Sequence, residues 1–446
     1  MKKKRLLAWL LACTLGIGML SGCGSKSEES DAANDSGEAP KDVPVVTIKT
    51  RLDNYGYFES KVKEFNDTHD DVQVEVQQRA DTTDQEHNLL LTQLSSGSNE
   101  TDILLLDTCW LLEFAAAGWL EPLDGYLPDG YNDDFFPIAK DLTSYNGTQY
   151  GVLRQVDLSA LFYRKDIFEE KNLQVPTTWD ELIEVGKACT EDGMWGYVWQ
   201  GKQYEGLVCD WVEILHSLGG SIFDDYNANP GERNVTINSP EAVQAVNYMY
   251  DFLNVSKISP EGVLSYTEDS SREAFQSGQA AMLRLWQSTP PLLNDPETSN
   301  VADTWAMAPI PGGENGSRTC IGGWAWGINA FSEHKEAAWE VLDWFTSADF
   351  MAGQVINSGN QPSRISAYDH ELIKNDPLWS EICPMFLEIA KTGIPRPLSV
   401  VWTKESDVIQ RALHSVFAGE KDAETAMADA AAEIEKIEQD FKASQQ

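Results

Sequence analysis

Residues 101–124 read TDILLLDTCWLLEFAAAGWLEPLD, and this stretch decides the fold class. The run from Ile103 to Leu106 is wholly apolar, which is typical of a strand in a sheet covered on both faces. The segment from Leu111 to Ala117 is predicted to be a helix that ends at Gly118. Two more strand and helix pairs precede it, at 45–50 with 53–68 and at 72–76 with 84–94. This alternation predicts an α/β domain with a largely parallel sheet.

A second region of strands and helices follows from about Asp157. Helix starts are indicated by Thr177 or Thr178 as one cap, and by Ser239 followed by Pro240 as another. The strands are predicted at 158–163 and 322–328, and the helices at 178–189, 204–218, 239–253, 334–346 and from 406 onward. The segment 275–285 leads into Trp286, and its Ala-Met part is predicted to be a strand. With 446 residues, the chain is long enough for two or three domains.

The composition is that of a globular protein. Hydrophobic residues make up 42%, charged residues 23% and aromatic residues 10% of the chain. The formal net charge of −38 would repel the phosphate backbone of a nucleic acid and an anionic lipid surface. A nucleic-acid partner is therefore not expected.

The chain begins with features of a secretory signal. Four basic residues at positions 2–5 precede an apolar run at 6–20, which ends in Leu20-Ser21-Gly22-Cys23. This ending resembles the lipobox of bacterial lipoproteins, which implies cleavage before Cys23 and a diacylglycerol on its thiol. The alternative is an ordinary cleaved signal with a chance cysteine. Residues 1–23 are thus predicted to be a lipoprotein signal peptide, and the polar residues 24–44 a flexible tether.

Five cysteines remain after the signal, at positions 109, 189, 209, 320 and 383. The number is odd and no C-x-x-C pattern is present, so a disulfide framework or a zinc site is disfavoured. Most are expected to be small buried residues. A single disulfide, for example between Cys189 and Cys209, stays open.

The sequence lacks the common catalytic templates and is rich in tryptophan. It contains no phosphate-binding G-x-x-x-x-G-K-[ST], no dinucleotide-binding G-x-G-x-x-G, no H-E-x-x-H and no G-x-S-x-G, and its six histidines have no metal spacing. No enzyme activity, cofactor or metal is therefore expected. Of its fifteen tryptophans, some, such as Trp344, have the helical spacing of core residues. Four others adjoin strand ends or polar residues, where α/β proteins bind ligands, and would suit the apolar face of a sugar ring: Trp110, Trp286, Trp324 and Trp402.

Taken together, several segments resemble the family-1 extracellular solute-binding proteins of carbohydrate ABC importers, which include maltose and trehalose binders. The resemblance extends from about residue 45 to 437. It is carried by the order of these stretches: 101–110, 117–124, 161–166 (LFYRKD), 176–182 (PTTWDEL), 204–207 (YEGL), 218–220 (LGG), 274–282 (AFQSGQAAM), 309–313 (PIPGG), 322–324 (GGW) and 396–397 (RP).

The resemblance implies a two-lobed, periplasmic-binding-protein-like α/β fold of type II, with a sugar held in a cleft between lobes joined by crossover strands. The first lobe would comprise 45–155 and 308–361, and the second 157–305 and 363–446. The ligand-binding residues carried over are Asp107, Trp110, Asp157, Tyr204, Glu205, Trp286, Gly323, Trp324, Arg396 and Trp402, with Asp53 and Asp84 from the early loops.

One departure from the family pattern concerns the residues just before Asp157. Maltose and trehalose binders tend to have aromatic residues there, whereas this chain has Arg154 and Gln155. Hydrogen-bond donors are expected to replace a stacking surface, which leaves the identity of the sugar open.

The predicted function is therefore a lipid-anchored, monomeric protein on the extracytoplasmic face of the membrane. It would bind an oligosaccharide without turning it over and deliver it to the permease subunits of an ABC importer. Two alternatives stay open at the level of sequence: a secreted glycoside hydrolase with an unrecognised carboxylate pair, and a sugar receptor for a membrane sensor.

Overall fold

The central feature of the fold is a β-sheet whose two parts share one long strand. The structure, a computed structural model, describes residues 43–50, 56–79, 83–191, 193–226 and 228–445. Its strands are β1 (Val45–Thr50), β2 (Gln73–Gln78), β3 (Ile103–Asp107), β4 (Ser144–Tyr145), β5 (Thr148–Gln149), β6 (Gly151–Arg164), β7 (Trp195–Val198), β8 (Ala280–Trp286), β9 (Trp305–Ala308), β10 (Thr319–Ile328) and β11 (Gly393–Pro395).

Nine of the described strands join in this sheet, with the main order β2-β1-β3-β10-β6-β8-β7. β11 pairs with β10, and β9 pairs with β6. β1 is parallel to β2 and β3, as the alternation of strands and helices predicts. β10, however, is antiparallel to both β3 and β6. The sheet is mixed rather than largely parallel because β10 comes from a distant part of the chain and inserts beside β3.

β6 is the strand that the two parts of the sheet share. Its residues 151–158 pair with β10, and its residues 159–163 pair with β8. Near the middle of β6, Gln155 bridges to Pro362 and Asp157 lies opposite Gly322. The predicted crossovers near positions 156 and 362 are therefore neighbours in space, although the lobe boundaries themselves stay a prediction.

Helices cover the sheet. β3 is buried at all five positions, and β6 and β8 are buried along most of their length, which confirms that the central strands are covered on both faces. The helices are α1 (Tyr57–Thr68), α2 (Thr83–Ser95), α3 (Leu111–Ala116), α4 (Ile138–Leu142), α5 (Lys165–Glu170), α6 (Trp179–Cys189), α7 (Glu205–Ser217), α8 (Pro240–Tyr250), α9 (Glu268–Gln276), α10 (Pro290–Leu293), α11 (Lys335–Trp344), α12 (Ala348–Ser358), α13 (Glu371–Lys374), α14 (Trp379–Ala390), α15 (Trp402–Phe417) and α16 (Ala423–Ser444). Among these described helices, none combines the length and apolarity that a bilayer crossing needs.

The helix starts follow from local chemistry. Thr178 and Glu181 form a reciprocal capping box at α6, and the Ser239 hydroxyl accepts the Ala242 amide at 3.2 Å in front of α8. Both predicted caps are confirmed. The predicted Ala-Met strand before Trp286 is confirmed as β8, and the first two residues of the segment 275–285 end α9. Gly278 separates that helix from β8, and its φ of 81° is a left-handed conformation that glycine adopts readily.

Residues 1–42 lie outside the described part of the chain. The predicted signal peptide, nearly all of the tether and the lipidation site at Cys23 are therefore not placed. The same holds for Asp53, one of the two ligand-binding candidates from the early loops.

Candidate ligand-binding site

A cavity of about 360 Å³ opens where the ends of several strands meet. β3 contributes its last residue, Asp107, and β8 its last residue, Trp286. α7 contributes its first residue, Glu205, which lies near the positive end of the helix dipole. The cavity size falls in the range of small-molecule sites. Eight of the predicted ligand-binding residues line it: Asp107, Asp157, Tyr204, Glu205, Trp286, Gly323, Trp324 and Arg396.

Arg396 links two of the cavity carboxylates. Its Nη2 donates to Asp107 Oδ1 at 2.8 Å, and its Nη1 donates to Glu205 Oε1 at 2.8 Å. All three side chains are buried. Buried charges are tolerated only when they are paired and hydrogen-bonded, so this bridge fixes the position of all three groups. Asp107 ends a strand of the predicted first lobe, whereas Glu205 and Arg396 belong to the predicted second lobe.

Trp402 lies behind this bridge rather than on the cavity wall. The residue is 1% exposed, and its Nε1 donates to Glu205 Oε1 at 2.9 Å. The hydroxyl of Ser406, one turn later on α15, donates to Glu205 Oε2. The expectation that Trp402 offers a ring face to a ligand does not match its position in this structure, because α15 packs against α7 and turns the indole toward Glu205.

Trp110 is also enclosed. It is 1% exposed and packs against Trp324 in a T-shaped arrangement, with 5.9 Å between ring centroids. The His87 ring also packs near it, with 5.3 Å between ring centroids. Trp110 therefore supports a cavity residue and does not line the cavity itself.

Asp84, the other early candidate, lies at the start of α2 and does not line the cavity. Its pKa is raised to about 6, first by burial and then by the charge of Glu205. His87 acts in the opposite direction. Asp84 is thus electrostatically coupled to the cavity carboxylates without facing the open volume.

Asp157 sits in the middle of β6 and is held by a neighbour on the same strand face. The Gln155 amide Nε2 donates to both carboxylate oxygens of Asp157, at 2.9 and 3.0 Å. Burial raises the pKa of Asp157 to about 6, whereas these hydrogen bonds from Gln155 favour its ionised form. Asp157 is therefore a hydrogen-bond acceptor that begins to take up a proton as the pH falls toward about 6.

Two half-buried tryptophans form the aromatic walls of the cavity. The Arg284 guanidinium lies 4.3 Å from the ring centroid of Trp286, and the Arg79 guanidinium lies 4.2 Å from that of Trp324. Such cation–π contacts help to hold an indole in place. The Trp286 indole also lies against Gly322, where an added Cβ would approach its ring atoms to 3.3 Å.

Gly323 shapes the floor between these walls. Its φ is +150°, and an added Cβ would lie 2.6 Å from the carbonyl oxygen of Gln155. Only glycine fits there without moving β6. The register between β10 and β6 shifts directly afterwards, between Trp324 and Ala325. The predicted importance of Gly323 thus has a steric reason in this structure.

Several cavity residues were not identified from the sequence. Glu268, Asp269 and Arg272 come from the first turns of α9, and Arg272 Nη1 donates to Asp269 Oδ1 at 2.6 Å. An acidic first turn is what an ordinary helix start looks like, so the sequence carried no distinguishing signal. Arg79 directly follows β2, and nothing in the sequence around it indicates a cavity residue.

The five described cysteines are all buried and free. The disulfide between Cys189 and Cys209 that the sequence left open is therefore absent from this structure. Within the described ranges, no group of three or more His, Cys, Asp or Glu side chains is arranged to hold a metal ion. What the cavity offers chemically is a set of carboxylates, four arginines and two aromatic faces.

Comparison with known proteins gives a consistent result. A family model described as bacterial extracellular solute-binding protein matches residues 49–352. The maltose-bound MalE3 of T. maritima superimposes with a TM-score of 0.81 at 33% identity, covering 88% of this chain and 100% of that one. A solute-binding protein of Thermotoga lettingae with bound α-D-tagatose gives 0.78 at 26% identity, covering 89% and 99%. A maltotriose-binding protein of Pyrococcus abyssi is 26% identical over 72% of this chain and 66% of its own length.

Proposed function

This chain belongs to the family of bacterial extracellular solute-binding proteins, and we propose that it captures an oligosaccharide of two or three sugar units for an ABC importer. The observation that carries the proposal is the cavity itself, in which Trp286 and Trp324 stand beside Asp107 and Asp157. A sugar ring has apolar C–H faces and a rim of hydroxyls. Indole faces suit the former, and buried carboxylates accept hydrogen bonds from the latter.

The bridge formed by Arg396 suits binding rather than catalysis. Asp107 and Glu205 are both committed to the guanidinium of Arg396, at 2.8 Å each. A general acid or a nucleophile for glycoside cleavage needs a carboxyl group that is free to exchange a proton or to attack. We therefore expect the bound sugar to be recovered unchanged after hours of incubation. A cleaved product that disappears on replacement of Asp107 or Asp157 would favour a hydrolase instead.

We further propose that ligand binding closes two lobes, 45–155 with 308–361 and 157–305 with 363–446. Arg396, in the second of these, reaches Asp107 in the first. Thr403 of α15 likewise donates to Glu113 of α3 at 2.6 Å. A ligand shifts such an equilibrium only by binding the closed state better than the open one. Small-angle scattering with and without sugar would measure the change.

The proposed location is the extracytoplasmic face of the membrane, with a lipid anchor on Cys23 and a monomeric binding domain. We expect Cys23→Ser to release the protein into the medium, since a stable anchor requires two acyl signals or chains. Immunoblots of membrane and medium fractions after a high-salt wash would test this. Correct processing must be checked by mass spectrometry, and retention of a processed variant in the membrane would refute the anchor.

A thermal-shift screen against mono- and oligosaccharides tests the proposed ligand class. A ligand at 100 times its dissociation constant stabilises the folded state by about 2.7 kcal/mol. We expect at least one di- or trisaccharide to raise the melting temperature, and calorimetry should then give one site per chain. If no carbohydrate shifts the transition while another solute class does, the proposal fails.

A further inference from the structure

Glu268 is the first residue of α9 and lines the cavity without an ionic partner among the described residues. Its Oε1 accepts the indole N–H of Trp286 in a long hydrogen bond of 3.4 Å. Its Oε2 has no partner among the described residues, and the side chain is half-buried, so this oxygen is not enclosed. The next residue, Asp269, is instead bound by Arg272 Nη1 at 2.6 Å. Glu268 therefore keeps most of the four acceptor sites of a carboxylate available to a ligand.

Glu268 and Asp157 lie near opposite ends of the Trp286 ring. Glu268 meets the indole nitrogen. At the other end, ring atoms Cζ3 and Cη2 lie 3.3 Å from the point where a Cβ on Gly322 would stand, and the Asp157 Cβ lies 3.5 Å from that point. The Arg284 guanidinium covers one face of the ring, with 4.3 Å to its centroid. A sugar that stacks on the other face would thus have a carboxylate near each end.

The charges around this ring favour a neutral or positive group beside Glu268. Arg284 is paired with Asp210 at 2.9 Å and with Glu213, so its charge is offset within the protein. The charge of Arg272 is offset by Asp269 in the same way. An anion beside Glu268 would meet a like charge that no described basic group neutralises, which is unfavourable in a partly desolvated site. A hydroxyl can donate to this carboxylate, and an ammonium group can donate with the added strength of its charge.

We infer that Glu268 is a ligand-binding and specificity-determining residue that accepts a hydrogen bond from the sugar unit stacked on Trp286. It admits a hydroxyl or an ammonium group at that place and disfavours an anion. The inference rests on the proposed carbohydrate function and deepens it, because it extends the ligand class to amino sugars. Loss of a hydrogen bond to a charged group corresponds to roughly 10- to 150-fold in affinity.

Calorimetry with a matched set of ligands tests the hydrogen bond. The parent probe is the tightest binder among maltose, maltotriose and trehalose, and its analogues are the monodeoxy sugars. We expect Glu268→Ala to weaken binding of the parent by roughly 10- to 150-fold. One monodeoxy analogue, which lacks the hydroxyl that Glu268 accepts, should lose several-fold less on the same substitution.

The charge preference is tested at the same position of the ligand. One analogue carries an amino group there in place of the hydroxyl, and a second carries a sulfate ester on that hydroxyl. The wild type should bind the amino analogue at least as tightly as the parent at neutral pH. In Glu268→Gln, which removes the charge but keeps the size of the side chain, the affinity for the amino analogue relative to the parent should fall by at least about tenfold. The relative affinity for the sulfate ester should rise, since the steric cost of the ester is the same in both proteins.

Glu273→Gln is the matched control, because it removes the same charge from an exposed position of α9 outside the cavity. It should leave all of these ratios unchanged. Ligand-free melting temperatures show whether Glu268→Ala is folded, and Glu268→Gln carries both tests if it is not.

Two outcomes would overturn the inference while a sugar still binds. An equal loss for the parent and every deoxy analogue would mean that Glu268 only supports Trp286. An unchanged preference between the amino analogue and the parent in Glu268→Gln would mean that its charge does not meet the ligand. If the wild type binds none of the three parent sugars, the proposed carbohydrate function fails together with the inference.

Discussion

The cavity wall and the layer directly behind it use the same residue type for different purposes. Trp286 and Trp324 are half-buried, and each has a guanidinium on its ring and borders the cavity. Trp110 and Trp402 are each 1% exposed, and their surroundings are protein on all sides. The remaining exposed surface of Trp286 and Trp324 can be buried by a ligand, whereas Trp110 and Trp402 are already buried in the folded protein. The difference predicts that mutations in the two layers will affect two different equilibria.

The largest effects are expected in the buried layer. Trp110→Ala and Trp402→Ala should each lower the free energy of unfolding by about 3–5 kcal/mol, because each leaves a large cavity in a packed region. Urea denaturation of the ligand-free protein measures the loss. Trp344→Ala, in α11, is a control for a packed helix residue, since its ring contacts Phe65 and Phe345. Loss of binding with an unchanged unfolding transition would contradict the assignment of Trp110 and Trp402 to this layer.

The wall should respond through affinity. Trp286→Ala and Trp324→Ala are each expected to cost about 2–4 kcal/mol of binding free energy, or roughly thirty- to nearly a thousandfold in affinity. The ligand-free melting temperature should move little. Calorimetry with a sugar identified by the thermal-shift screen measures the first effect. If both variants lose stability and keep their affinity, these rings belong to the core, and the proposed difference between the cavity wall and the buried layer is wrong.

A more conservative change isolates the contact between the two layers. Trp402→Phe keeps an aromatic ring but removes the indole Nε1, which donates a hydrogen bond to Glu205. A hydrogen bond to a charged group contributes about 1.5–3 kcal/mol. We expect the loss to be divided between unfolding and binding free energies, because Glu205 keeps its bonds to Arg396 and Ser406. Trp110→Phe is the matched control, since it leaves the bonds of Glu205 intact. A loss confined to unfolding would mean that Trp402 does not position Glu205 for a ligand.

Much of the fold was predictable because its signals are local. The apolar run of β3 and the caps at Thr178 and Ser239 depend on residues a few positions apart. The antiparallel insertion of β10 depends on pairing between residues that are about 160 to 225 positions apart, for which periodicity gives no signal.

The site was predictable only in part, for a related reason. Arg154 and Gln155 both border the cavity, at the place where the register of β6 against β10 is irregular, and this irregularity depends on pairing with a distant part of the chain. The direction of the Trp402 indole follows from the packing of α15 on α7. Neither depends on residue type, so the sequence could name these residues but could not assign their roles.

The smallest predicted effect concerns the pH dependence of binding, and it separates Asp157 on the wall from Asp84 behind it. Burial raises the pKa of each to about 6. Ligand hydroxyls that donate to Asp157 favour its ionised form, so affinity should fall as the pH drops through 6, by at most about tenfold per pH unit. The stability of the ligand-free protein should respond with the opposite sign. The stabilising contribution of a carboxyl group with a raised folded-state pKa is full below the unfolded value of 3.8 and is lost as the pH rises through about 6.

Calorimetry between pH 5 and 7 separates the two residues. The affinity of Asp157→Asn should not change with pH, whereas that of Asp84→Asn should still fall as the pH drops. If the affinity of Asp84→Asn is the one that does not change with pH, the carboxyl group whose titration affects binding is Asp84. Asp157 would then not be the group that contacts the ligand.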